Sequence, residues 1–73
     1  MDNFERLRRK HKAVNAAEAS GQIADSLEVR IALIERVKRG EITVEQMQAE
    51  LTAIKRGAKK RGMITRAQAY SRG

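Results

Sequence analysis

An Asp or Thr followed three residues later by Glu or Gln occurs four times in this 73-residue chain, at Asp2/Glu5, Asp25/Glu28, Thr43/Gln46 and Thr65/Gln68. No proline interrupts what those pairs begin. In such a pair the first side chain accepts a hydrogen bond from a backbone N–H of the first helical turn, and the later side chain reaches back to the N–H of the first residue. The pattern therefore marks helix starts. The only aromatic residues are Phe4 and Tyr70. A β-sandwich or barrel would need frequent turn signals and runs of β-branched or aromatic residues, so the chain is expected to be all-α.

Apolar spacing supports two of the four starts strongly. Behind Asp25, residues Leu27, Ile31 and Ile34 fall on one helical stripe, widened by Leu33 and Val37, and the helix is expected to stop at Arg39 before Gly40. Behind Thr43 the stripe is Val44, Met47, Leu51, Ile54 and Ala58. The connection between them is so short that the two helices must pack antiparallel. A small antiparallel helical hairpin, within residues 22–61, is thus the expected core.

The hairpin alone offers too little apolar surface to offset the cost of ordering it. The N-terminal segment, residues 1–20, has Phe4, Leu7, Val14 and Ala17 at helical spacing with His11 between them. It is expected to be an additional helix laid across the hairpin, or an arm that orders on a partner. Ser20-Gly21-Gln22 is the hinge between arm and core. Residues 62–73 hold little that is apolar beyond Met63, Ile64 and Tyr70, and are expected to form a short helical turn or a flexible basic C-terminal tail.

Charge is distributed as unevenly as hydrophobicity. Of a net +7, residues 55–73 contribute seven bases and no acid, and residues 1–12 contribute five bases against two acids. Residues 13–54 carry four bases against seven acids. A basic end on a near-neutral middle reads as a contact surface for nucleic acid or an acidic partner. The longest apolar run is Ile31 to Ile34, far short of a membrane span, and no signal-peptide pattern opens the chain, so a cytoplasmic protein without membrane contact is expected.

Chemistry that needs convergent groups is poorly supplied. There is no cysteine, and His11 is the only imidazole, set among Arg9, Lys10 and Lys12. No nucleophile, base and orienting group can be chosen by spacing, so no enzyme, no cofactor and no small-molecule substrate is expected. One histidine and scattered carboxylates make no metal ligand set. The basic run is a sharper signal. If the second hairpin helix continued to Arg61, Lys55/Lys59 and Arg56/Lys60 would stack as like charges one turn apart, a repulsion that a polyanion would relieve. Lys55, Arg56, Lys59, Lys60 and Arg61 are the candidate contacts to nucleic acid or an acidic surface, set against the plainer reading of a solvated helix end whose cations complement the dipole. Arg6-Leu7-Arg8-Arg9-Lys10-His11-Lys12 forms a second basic cluster, similar to arginine-rich arms that fold on RNA. With so few aromatics, base stacking by an RRM or OB surface is not expected. Ala58, Gly62 and Thr65 imitate the turn of a helix-turn-helix, but the helix that would follow has Gln68 and Ser71 at its buried positions and is too short to read a groove.

The length and the opening Met-Asp-Asn-Phe-Glu-Arg-Leu-Arg-Arg-Lys resemble the small RNA polymerase-binding transcription antitermination and inhibitor proteins of lytic phages, of the Xanthomonas phage type. The resemblance spans the chain without a diagnostic motif. It implies a helical protein in the host cytoplasm that binds the N-terminal region of the polymerase β′ subunit, inhibits sigma-dependent initiation and promotes antitermination. In that reading Phe4, Arg6, Leu7 and Arg9 are the expected protein contact, and the run Lys55–Arg61 approaches nascent RNA or a DNA backbone. The alternative is a basic helical DNA- or RNA-binding protein acting without polymerase.

Overall fold

Four helices make up the computed structural model, which describes residues 3–73: α1 (Asn3–Ala19), α2 (Leu27–Lys38), α3 (Val44–Gly57) and α4 (Arg66–Arg72), with a 3-10 turn, Lys59–Arg61, after α3. The protein is all-α. Two of the capping boxes form as their spacing requires. The Thr43 hydroxyl accepts from Gln46 N–H while the Gln46 side chain accepts from Thr43 N–H, and Thr65 and Gln68 do the same for α4. The Asp25 start is corrected by one residue. Ser26 is the cap, its hydroxyl accepting from Val29 N–H, because the Asp25 side chain is turned to other partners. Asp2, of the first pair, lies outside the described residues.

Helices α2 and α3 form the antiparallel hairpin, joined by a turn in which Gly40 takes φ 76° and Glu41 N–H donates to Arg36 C=O, closing the end of α2 in the manner that the sequence implied. The face of α2 that enters the core is another matter. Leu33 is buried, with Val29 and Val37 half-buried, whereas Leu27, Ile31 and Ile34 stand 54%, 48% and 42% exposed. Of the stripe expected to face the core, Leu27, Ile31 and Ile34 look outward, and Leu33 and Val37, which widened it, are the residues that turn inward. On α3 the expected stripe holds from Met47 through Leu51 and Ile54, all half-buried, to the buried Ala58, and only Val44 is exposed.

The buried hydrophobic cluster lies outside the hairpin that was expected to form the core. Val14 and Ala17 of α1, Ile23 of the following linker and Ala69 of α4 pack together, with Ile64 against them. The last residues are therefore no flexible tail. They form a helix docked antiparallel on α1, with Arg66 beside Glu18 at one end and Gly73 against Arg9 and Lys10 at the other. Two linkers interlock beneath this pair. Ile64 N–H donates to Gln22 C=O and Ala24 N–H donates to Ile64 C=O, a single parallel bridge between Ile23 and Ile64 that buries Ile23 almost completely. Gly62, at φ 70°, makes the reversal that brings Ile64 back to that position.

Candidate partner and nucleic-acid interfaces

Two acids, Glu18 and Asp25, form a junction where α1, α2 and α4 meet. Asp25 is 1% exposed, and its carboxylate accepts from the backbone N–H of Arg66 at 2.8 Å and from the Arg30 guanidinium at 2.8 Å, while Arg30 Nε donates to the Asp25 C=O. Glu18 makes the matching contact for α2, accepting from Leu27 N–H at 3.0 Å and pairing with the Arg66 guanidinium. Each acid sits at the N-terminal turn of a helix, where the helix dipole favours negative charge. Burial pushes the Asp25 carboxyl up, but the hydrogen bonds from Arg66 N–H and the Arg30 side chain outweigh it and hold the group below the usual carboxylate range. Two acids from the near-neutral middle thus consume Arg30 and Arg66 in holding the helices together.

Two surfaces of unspent cations remain. The first is α1. Among the described residues no ion pair involves Arg6, Arg8, Arg9 or Lys12, and the Lys10 ammonium donates only to Tyr70 C=O. Gly73, just beyond α4, lies against Arg9 and Lys10, and residues 3–9 of α1 are all exposed. Phe4 is 69% exposed, and a shallow groove bordered by Phe4, Glu5, Leu7, Arg8 and Arg9, and further on by His11, Lys12 and Asn15, runs along the helix. Phe4, Leu7 and Arg9 all border this groove, while Arg6, two residues from Phe4 on a helix of 3.6 residues per turn, leaves from the opposite side, so three of the four expected contact residues meet at one groove and the fourth does not.

The second surface is the end of α3. The helix does not continue to Arg61. It stops at Gly57, and the chain tightens into the 3-10 turn at Lys59–Arg61, so the expected stacking of Lys55 on Lys59 and of Arg56 on Lys60 one helical turn apart is not made. The physical reason lies in Arg61 and Met63. The Arg61 guanidinium folds back to donate to Ile54 C=O at 3.2 Å, and Met63 N–H donates to Ala58 C=O, which together close the end of the helix. Arg61 is therefore a capping group, and Lys55, Arg56, Lys59 and Lys60 are the exposed cations.

What the sequence reading missed is the aromatic contact. Tyr70, on α4, comes within 6.2 Å of His11, ring centre to ring centre, and the Lys10 ammonium lies 5.0 Å from the centre of the Tyr70 ring. The Thr65/Gln68 capping box signals α4 but says nothing of the helix it docks on, 60 residues away in sequence for Lys10 and Tyr70. No group of three or more His, Cys, Asp or Glu among the described residues could hold a metal, and no helix is long and apolar enough to cross a membrane. No protein-family model, curated protein or solved structure matches the chain.

Proposed function

We propose that this protein is a transcription regulator of the phage type, which binds host RNA polymerase through the N-terminal region of β′, inhibits sigma-dependent initiation and promotes antitermination. The observation that carries this reading is the division of charge. The acids Glu18 and Asp25 are spent inside the junction, and the cations of α1 and of residues 55–60 are left facing outward on a small rigid frame. A competitor for a surface of a large assembly needs only such a frame and such faces. The resemblance of the opening run to polymerase-binding phage proteins supplies the identity of the assembly. Competition with sigma accounts for inhibition, and cations held near emerging RNA account for reading through terminators.

Capture of purified core polymerase, holoenzyme and an isolated β′ N-terminal fragment on the immobilised chain tests the proposal. Retention of core polymerase and of the fragment is expected, with loss of promoter-dependent transcripts and longer products past a terminator. Failure to retain any polymerase species at low salt removes it.

A second reading, direct phosphate binding without polymerase, is favoured by the four exposed cations at the end of α3. Replacing Lys55, Arg56, Lys59 and Lys60 by Ala would then abolish duplex binding and its steep salt dependence. Unchanged duplex affinity in that variant would exclude it.

A further inference from the structure

The side of α1 that α4 leaves open interleaves aromatic rings with cations. Phe4 and His11 are seven residues apart, which places them on one side of the helix and about 10 Å apart along its axis. Arg8 lies between them, its guanidinium carbon 5.9 Å from the centre of the Phe4 ring. Helix α4 adds a third ring, Tyr70, tilted by 48° to the His11 ring and 38% exposed. Lys10 and Lys12 flank this row, and neither is in an ion pair among the described residues.

We propose that this row, Phe4, His11 and Tyr70, is a stacking site for single-stranded nucleic acid, with phosphates facing Arg8, Lys10 and Lys12. Three considerations select that ligand. Rings set in a cationic strip match a ligand that alternates flat apolar faces with anions, which is the chemistry of an unpaired strand. The bases of a duplex are already stacked on one another and offer no face to these rings, so a duplex would use the cations alone. An acidic protein helix would also find the cations, yet it would gain little from the His11–Tyr70 pair, whose exposed surface is ring rather than aliphatic. The site goes beyond the polymerase reading, since it needs no polymerase, and it shares no residue with Lys55–Lys60.

Fluorescence anisotropy of labelled oligouridine and of a hairpin duplex RNA, with the full chain alone and across a salt titration, tests the site. The single strand is expected to bind more tightly than the duplex. Phe4→Ala and His11→Ala should each weaken it about tenfold without changing the salt slope, whereas Arg8→Ala should reduce the slope by about 0.7. Tyr70→Ala risks undocking α4, so Tyr70→Phe is the companion variant and should bind as the parent does. Ring variants that bind oligouridine unchanged, equal affinity for duplex and single strand, or binding of polyglutamate with none of oligouridine would each overturn the proposal. Intact oligouridine binding in a chain that captures no polymerase would remove the function proposed above and leave this site standing.

Discussion

Asp25 opens a sequence pattern that reads as a helix cap, and the residue does something else. Its spacing to Glu28 is right for a capping box, but Ser26 takes that role, and Asp25 instead joins the first turn of α4 to Arg30 of α2 from a buried position. Local spacing cannot reveal this, because the donor that claims the carboxylate is 41 residues away in sequence. Asp25→Ala leaves the Arg66 N–H and the Arg30 guanidinium without their acceptor and should cost about 3 kcal/mol, measured by urea unfolding; Asp25→Asn, which keeps one acceptor for Arg66 N–H, should cost less. The pH dependence follows the lowered pKa. A carboxylate held below its unfolded value stabilises the fold fully above that value, so this contribution is constant from neutral pH down to about pH 5. It is then lost as pH falls through about 4 and on through the folded value. Thermal melts along that range check it, and Asp25→Asn should flatten the acid side of the profile.

At the scale of the element, capping was legible and facing was not. Thr43/Gln46 and Thr65/Gln68 start helices where their spacing puts them, since a capping box is closed by residues three apart and owes nothing to the rest of the chain. Periodicity, by contrast, states which residues share a side and leaves open which side is covered. On α2 two apolar sides adjoin, Leu27/Ile31/Ile34 and Val29/Leu33/Val37, and the hairpin buries the second. Leu33→Ala should therefore destabilise the protein by about 3 kcal/mol and Ile31→Ala by under about 1, read from urea midpoints. Equal or greater loss at Ile31 would contradict this orientation, since the stripe expected from the sequence placed both residues at the core. Thr65→Ala should cost about 1 kcal/mol and loosen α4, seen as a change in the Tyr70 near-ultraviolet signal.

The whole molecule, some 45 × 27 × 19 Å, joins the two ends of its chain. Composition leaves residues 62–73 as a short helical turn or a loose tail, because they are basic and poor in large apolar side chains. What orders them is a small residue, Ala69, seated against Val14 and Ala17, together with a bridge of two backbone hydrogen bonds at Ile64 and one carboxylate at Arg66. None of these has a hydrophobic signature in sequence. The uneven charge, by contrast, is readable in the sequence, since excess cations remain at the surface however the helices pack; Arg61 and Arg66 are engaged by contacts that the fold creates, Arg61 while still exposed. The proposed interfaces on α1 all depend on α4 holding that helix in place. Amide hydrogen exchange measures the docking most directly. Slow exchange is predicted for the N–H groups of Ala24, Ile64, Arg66 and Ala69, at rates comparable with those of the α2–α3 hairpin; fast exchange throughout 62–73 beside a protected hairpin would contradict the account.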